Sequence, residues 1–492
     1  MGESDRCSRL RFKLPEHFIQ SRIRPWAAGL LLSAAVVVHS LAAAQTAPVP
    51  PAPAPGPPSA ASFQGSVPVG KASAETLNLS LDDAIQRGLQ TNLGIILSNT
   101  QTAGARAQRL SQLQTLLPSV DFNAREAAVQ SDLPAEGFRI PGFPTVIGPF
   151  GYTDVRASMT WSLVNVASLR NYLAARHNFT AAQLSAQDAR DLVVLTVGNA
   201  YLLVLADQTE VSSVEAQAAT AKVSLDQAMA NHSAGTAPLL DELRAKVDYQ
   251  SIEQQLIAAQ DALEKDKLAL KRTIGLPLDQ RIHLTDKSPY APYDTLNADA
   301  LIKQAEQNRK DLAALVEVTA AAAAQRKAAT AARLPTIQTD ADYGDIGPTL
   351  AHSHGTVDAS ATLSVPVFAE FALRGQAQQA QAQLDTAQAQ LSDKQAQIEA
   401  DVRDALLDIA SAQKQVQVAQ SSMALANEAL KEAQERYANG VSDNLAVSQA
   451  QQSVAQADSQ YVASLYRHNV AKLSLARALG AGLDYRKYVG GK

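Results

Sequence analysis

An internal duplication constrains the fold of this chain more than any other feature of its sequence. "LPSVDFNA" at 117–124 resembles "LPTIQTDA" at 334–341, an offset of 217 residues. "ASMTWSLVNVASLRN" at 157–171 resembles "ATLSVPVFAEFALRG" at 361–375, an offset of 204. Self-similarity at such a distance predicts two structural repeats of the same design. The smaller second offset places a longer loop between the two motifs of the first repeat.

Each repeat carries a long heptad seam of mostly small apolar residues. In the second repeat the seam runs from Ile398 to Tyr437 in alternating steps of four and three residues. In the first repeat it runs from Val193 to His232, each position 205 residues earlier. Heptad seams are typical of coiled-coil packing. We therefore predict long helices at about 167–232 and 371–438, each roughly 100 Å long, beside shorter, end-to-end stacked helices at about 92–117, 236–275, 310–334 and 442–480.

Four segments between the short and long helices alternate apolar and polar residues, which is the period of a β-strand. They lie at 119–125, 152–163, 336–343 and 357–367. A soluble two-layer sheet is one interpretation, and a membrane barrel strand with a polar luminal face is the other. We favour the barrel because no helical segment is apolar enough to cover such a sheet. The predicted lipid-facing residues are Val155, Ala157, Met159, Trp161, Ala359, Ala361, Leu363 and Val365.

Four strands cannot close a barrel, and lipid does not tolerate an open sheet edge. Two chains would supply eight strands, whose interior is filled by side chains. Three chains would supply twelve, which leaves room for a channel. We therefore predict a mainly α fold with a membrane β-barrel, in which each chain of a homotrimer gives four strands to a shared twelve-stranded barrel and one third of a helical tunnel.

The N-terminus has the features of a secretory signal. Basic residues precede an apolar run at 26–44, and Ala42 and Ala44 form an A-x-A cleavage pattern. We predict a signal peptide at 1–44, with an uncleaved anchor as the alternative, and a Pro/Ala-rich linker at 45–76. The net charge of −5, with no basic tract, argues against a nucleic-acid partner.

The duplication also predicts the division of the remaining chain. The first repeat covers 77–280, a connecting segment covers 281–296, the second repeat covers 297–480, and a tail covers 481–492. Within each repeat a β-hairpin precedes a long helical hairpin; these are predicted at 118–164, 167–275, 335–368 and 371–480. No Ser-His-Asp set, phosphate loop or carboxylate pair stands out, so we predict no enzymatic activity, cofactor or metal site.

Together these features resemble the TolC-type outer-membrane efflux proteins, the outer membrane factor family. The resemblance rests on the order and duplication of several motifs. They are "LSLDDAIQRGLQTN" (79–92) with a capping box of Ser80 and Asp83, the two "LP-x-(V/I)" strand entries, "LSVPVFAEFALRG" (363–375), "ERYANGVSDNLAV" (435–447) and "LSLARALG" (473–480).

The resemblance implies a passive duct in the outer membrane and periplasm of a Gram-negative bacterium. Such a duct serves tripartite efflux or type I secretion, and it works with a periplasmic adaptor protein and an inner-membrane pump or secretion ATPase. The alternative is a periplasmic coiled-coil spacer or adaptor without a barrel, which would need no amphipathic strands.

The resemblance also assigns roles to the turns that join the long helices. The adaptor-docking residues would be His232, Gly235, Arg436, Tyr437 and Gly440. Well-studied family members carry two aspartates, three residues apart, just after the second turn, where they ring the entrance. Ala446 and Gln449 occupy those positions here. Negative charge near a periplasmic entrance would instead come from Asp241, Glu242 and Asp443.

Overall fold

The computed structural model describes most of the chain from Ala60 to Val489. The signal peptide, residues 45–59 of the linker, and Gly440 and Asp443 of the second turn lie outside the described residues. The described residues are 60–135, 137, 139, 141–286, 290–293, 297–439, 441–442 and 444–489.

Helices account for most of the described chain. In chain order they are α1 (Leu81–Thr91), α2 (Leu93–Gln114), α3 (Val166–Ser233), α4 (Leu239–Thr273), α5 (Ala298–Asn308), α6 (Lys310–Ala331), α7 (Glu370–Ala438), α8 (Asn444–Ala478) and α9 (Arg486–Val489). The strands are β1 (Leu77–Leu79), β2 (Ser119–Asp132), β3 (Val146–Val164), β4 (Ile282–Leu284), β5 (Thr336–Gly347) and β6 (His354–Ser364). The predicted long helices, short helices and four strands are all present, and Ser80 and Asp83 form the predicted capping box at α1.

The long helices form a wall with the shorter ones. Helix α3 has 68 residues and α7 has 69, so each is about 100 Å long. Helix α3 packs against α2, α4, α6 and α8, whereas α7 packs against α6 and α8. The C-terminal end of α4 meets the junction of α1 and α2. There the Thr91 hydroxyl donates to the carbonyl oxygen of Ile274 at 3.1 Å. The α2/α4 stack therefore lies at one edge of the wall and α7 at the other.

The predicted heptad seams face the inside of this wall. Helix α3 is also long and apolar enough to cross a membrane, but more than half of its most apolar stretch is buried in the structure, which is typical of a core helix. The buried seam positions are Val193, Val197, Val204, Val214, Ala221 and Ala228 in α3, and Ile398, Val402, Ala405, Ile409, Ala412, Val416 and Ala419 in α7.

The four long strands form one antiparallel sheet in the order β2-β3-β5-β6. The hairpins of the two repeats lie side by side, so β3 pairs with β5 in the centre. Among the described residues, no further strand pairs with the outer side of β2 or of β6. Strand β6 ends at Ser364, so Val365, predicted on a barrel strand, lies just beyond it. The following Pro366 has no N–H to continue the ladder.

A second, two-stranded sheet was not predicted. Strand β1 pairs in parallel with β4, which connects the start of the first repeat to the segment that follows it. The buried Tyr201 of α3 supports this pair, because its hydroxyl lies 3.0 Å from the Leu79 carbonyl oxygen and 2.8 Å from Oδ2 of Asp286. Sequence periodicity gave no sign of it, because both strands have only three residues.

Candidate conduction surface and docking tips

The four-stranded sheet has one polar and one apolar face. On the polar face Arg156 donates from Nε to Oδ1 of Asp154 at 2.7 Å and from Nη1 to Oδ1 of Asp342 at 3.0 Å. On the same face Thr160 donates to Oδ1 of Asp340 at 3.0 Å. The sheet therefore carries an ordered network of charged and hydroxyl side chains on one side.

The opposite face is apolar, and no element in the described part of the chain covers it. The register aligns Phe122, Ala157, Tyr343 and Val357 across all four strands. Phe122 is 72% exposed and Val357 is 75% exposed. Exposed apolar surface of this extent marks a site that contacts another molecule or lipid. The predicted lipid-facing residues Ala157, Met159, Ala359, Ala361 and Leu363 lie on this same face by strand alternation.

The turn between α3 and α4 is the first predicted docking tip. Gly235 has φ +73°, a left-handed conformation that glycine adopts without steric cost. His232 and Glu242 meet across the turn, with 2.7 Å between Nδ1 and Oε2. The structure therefore brings together one predicted docking residue and one predicted entrance residue. Both side chains remain partly exposed and accessible to a partner.

The second tip, between α7 and α8, is joined to the first. Asn444 donates from Nδ2 to the carbonyl oxygen of Asp241 at 3.4 Å, and the Ser448 hydroxyl donates to the Asp248 carboxylate. Asp241 is buried beneath this contact, whereas Gln449 is exposed. Of the two predicted residues before the turn, Arg436 lies in the last turn of α7. The Tyr437 hydroxyl is buried without a hydrogen-bond partner among the described residues.

Three acidic side chains from two helices, α3 and α4, lie along the seam above these tips. Burial raises the pKa of Asp207 to about 7, and the neighbouring carboxylate of Asp266 adds to this rise. Burial also raises the pKa of Glu210, although a hydrogen bond from Ser459 opposes it. Within the described residues, none of these three carboxylates forms a salt bridge to a basic side chain.

An ion network lies where α8 ends and α6 begins. Arg309 is 4% exposed, and its guanidinium binds Asp311 at 2.7 Å and Asp401 at 2.6 Å. Arg477 of α8 binds Asp188 of α3 at 2.8 Å. The network thus connects three of the four helical columns of the wall, which are α3, the α6/α8 stack and α7. No sequence motif indicated this network, although Arg309 lies 217 residues after Asn92, whose side chain caps the equivalent helix start in the first repeat.

A match to a protein-family model identifies the family of this chain. Residues 84–276 and 301–481 match the family model described as outer membrane efflux protein. The chain belongs to the outer membrane efflux protein family. The two matched ranges correspond to the two repeats. The periplasmic spacer is thereby excluded as the alternative, and the protein is an outer-membrane efflux channel protein of a Gram-negative bacterium.

Similar proteins and structures agree with this family. The chain is 26% identical over 416 residues to a probable efflux pump outer membrane protein, SepC of Pseudomonas putida, covering 82% of this chain and 83% of SepC. It is 24% identical to the pyoverdine export outer membrane protein OpmQ of P. putida, covering 79% and 84%.

The fold is shared with solved outer-membrane channels. The structure of VceC of Vibrio cholerae superposes with a TM-score of 0.72 at 20% identity, covering 81% of this chain and 96% of VceC. The open-state MtrE channel of Neisseria gonorrhoeae gives 0.72 at 18% identity, covering 86% and 95%. The likeness shows that the fold described above is shared with VceC and MtrE. The family to which the chain belongs is one of efflux channel proteins, which are transporters.

Proposed function

We propose that three copies of this chain close a twelve-stranded barrel and a helical tunnel that conduct cargo passively from the periplasm to the exterior. The observation that carries the proposal is the open sheet with one polar and one exposed apolar face. In lipid each backbone donor and acceptor at the free edges of β2 and β6 needs a partner. A neighbouring copy supplies it when β6 of one chain pairs with β2 of the next.

The helical wall supports the same head-to-tail assembly. Strand β6 continues into α7, and α2 leads into β2, so sheet and wall are open at corresponding edges. Large apolar side chains are exposed along both edges of the wall. They include Leu407, Val418 and Leu425 on α7, and Val247 and Ile257 on α4. Contacts between two different surfaces generate a closed ring when the rotation permits.

The joined tips are the proposed contact with a periplasmic adaptor protein, which couples the duct to an inner-membrane pump or secretion ATPase. His232, Gly235, Arg436, Tyr437 and Gly440 are the docking residues in this proposal. The partly exposed His232–Glu242 pair supports it, because a polar rim is typical of non-obligate interfaces. The proposed entrance residues are Asp241, Glu242, Asp443, Ala446 and Gln449. Of these, Gln449 is exposed to solvent and Asp241 is buried.

A pair of matched substitutions in β3 tests the barrel. Met159→Arg places a charge on the apolar face, and a lipid-facing arginine at the midplane costs about 2–4 kcal/mol. Ser158→Arg places the same charge on the polar face one residue earlier. We expect outer membranes to contain detergent-resistant trimers of the parent and of Ser158→Arg, and much less of Met159→Arg. Equal amounts of the two variants would contradict the assignment of the faces.

A further inference from the structure

The helical turns next to the four-stranded sheet carry a strong excess of positive charge. The segments that lead from the sheet through about four turns of α2, α3, α6 and α7 are 101–118, 165–179, 318–335 and 365–383. They contain eight arginine and lysine residues but a single acidic residue, Glu370, whereas the whole chain has a net charge of −5. These eight residues, here called the basic collar, are Arg106, Arg109, Arg170, Arg176, Arg326, Lys327, Arg333 and Arg374.

Most of the basic collar has no charge partner inside the chain. Arg333 binds Glu370 at 2.8 Å, and Arg109 lies over the ring of Phe179, 4.6 Å from its centroid. Among the described residues, none of the other six forms a salt bridge. Like charges gathered in one band repel one another. We therefore expect an anionic partner outside the chain to compensate for them.

Trp161 marks the level at which the apolar face of the sheet ends. It lies on the same face of β3 as Met159, and its indole N–H donates to the carbonyl oxygen of Leu116, between α2 and β2, at 3.1 Å. Aromatic residues form girdles at both interfaces of outer-membrane barrels. Trp161 therefore places the periplasmic boundary of the proposed barrel near Leu116. Arg109 and Arg106 lie about 10 and 15 Å from that boundary along α2.

The arginines of the basic collar follow exposed apolar side chains on the same helix faces. Leu169 and Arg176 are seven residues apart on α3 and share one face, with the exposed Leu169 nearer the sheet. Helix α3 is not at an edge of the wall, so the neighbouring copy of the proposed ring does not cover Leu169. An aqueous lumen would leave this leucine in water, whereas a membrane surface covers it and accepts the arginine one turn further out. The pattern recurs in the pairs Leu110 with Arg106 on α2 and Phe371 with Arg374 on α7.

We propose that the basic collar binds the phosphate groups of anionic phospholipids in the periplasmic leaflet of the outer membrane. This inference rests on the proposed function, because it requires the sheet to close a barrel in that membrane. The collar continues the lipid-facing surface of the sheet, and basic residues beside a membrane attract anionic lipids within about a Debye length. Seven of its eight residues are arginines, whose planar guanidinium matches the geometry of a phosphate group.

Quenching of Trp161 fluorescence by brominated phospholipids tests the proposal, because bromine quenches tryptophan only at short range. The other tryptophan of the chain, Trp26, lies in the predicted signal peptide. Protein purified from outer membranes is reconstituted in phosphatidylcholine vesicles that contain a minor, equal fraction of either brominated phosphatidylglycerol or brominated phosphatidylethanolamine, and Trp161→Phe gives the background. We expect phosphatidylglycerol to bind beside Trp161 about two- to fourfold more tightly at 0.1 M salt, and the preference to approach one near 1 M.

The collar variant replaces three arginines that follow exposed apolar residues; it combines Arg106→Gln, Arg176→Gln and Arg374→Gln. We expect it to lose most of the preference for phosphatidylglycerol at 0.1 M salt. The control variant removes the same charge from exposed positions near the far end of the wall; it combines Lys222→Gln, Lys246→Gln and Lys414→Gln. Lys222 lies on α3 about 70 Å from Arg176, so the control should keep the parental preference. The salt dependence of the parent needs no substitution and tests the proposal even where a variant fails to insert.

The possible outcomes separate this inference from the proposed function. Equal quenching by the two lipids in the parent, a parental preference in the collar variant, or an equal loss in the control would overturn the inference while the barrel stands. Loss of the parental preference on adding inorganic phosphate at constant ionic strength would assign the collar to a free anion, which also overturns it. Absence of quenching by either lipid would refute the lipid-facing sheet, and with it the proposed function.

Discussion

The ion network at Arg309 leads to a specific prediction about stability. Arg309→Met removes the guanidinium but keeps most of the aliphatic volume of the side chain. The carboxylates of Asp311 and Asp401 then lose their shared partner at 2.7 and 2.6 Å. Removing one member of a buried ion pair costs about 3–5 kcal/mol, because the other charge stays buried without compensation. Lys394 remains 3.5 Å from Asp311 and partly compensates its charge, so the loss of stability should be near the lower end of this range.

The lowered pKa of Asp311 gives a second value for the stability cost of Arg309→Met and predicts how this cost depends on pH. Burial alone would raise this pKa, but the hydrogen bonds and charge of Arg309, with the charges of Arg477 and Lys394, lower it to about 2. A carboxyl group with a lowered pKa in the folded state contributes stability above its unfolded value near 3.8, and this contribution is lost as pH falls toward 2. The difference is worth about 2 kcal/mol. The cost of Arg309→Met should therefore be full at pH 7 and shrink below pH 4.

Thermal unfolding of the detergent-solubilised protein between pH 3 and pH 8 measures this effect. Arg333→Met is the matched control, because Arg333 binds Glu370 at 2.8 Å in an exposed pair, and exposed pairs contribute about 0–1 kcal/mol. We expect a clearly lower unfolding midpoint for Arg309→Met than for Arg333→Met at pH 7, and a smaller difference between the two midpoints at pH 3. Equal midpoints for the two variants at pH 7 would refute the reasoning.

Two further predictions concern buried polar groups. Tyr201→Phe removes the hydroxyl that lies 3.0 Å from the Leu79 carbonyl oxygen and 2.8 Å from Asp286. It should lower the free energy of unfolding by about 1–3 kcal/mol in chemical denaturation. An unchanged midpoint would count against a supporting role of Tyr201 for β1. Burial, then Asp266, raises the pKa of Asp207 to about 7, so its carboxyl group destabilises the fold increasingly as pH rises from about 4 to 7. Asp207→Asn should therefore be more stable than the parent at pH 8 and lose this advantage below pH 5; an advantage independent of pH would contradict the assignment.

Much of the fold could be predicted because its signals are local and duplicated. The heptad steps from Val193 and from Ile398 indicated the long helices, since one stripe of a helix must be buried. The alternation around Met159 and Leu363 indicated the strands, since successive side chains point to opposite faces. The strand ends were less certain. Strand β2 extends to Asp132, seven residues beyond the prediction, and β6 ends one residue before Val365.

The candidate sites were less predictable than the elements that carry them. His232 and Glu242 were assigned to separate roles, yet the turn at Gly235 brings them within 2.7 Å. Asp241 was predicted to lie near a periplasmic entrance, and in the structure it is buried under Asn444 of the other helical hairpin. Both facts depend on how one helical hairpin packs against another, which no periodicity within a single helix encodes.

The sequence by itself determined the number, order and amphipathic faces of the main elements, because these depend on residue spacing within a segment. Only the tertiary structure decided which distant residues meet. The pairing of β3 with β5 aligned Asp121, Asp342 and Asp358 in one row, and the stacking of α8 on α6 brought Arg309, Asp401 and Arg477 into one network. The physical reason is that strand register and helix stacking depend on contacts between elements of both repeats. Residue spacing within one segment therefore does not determine them.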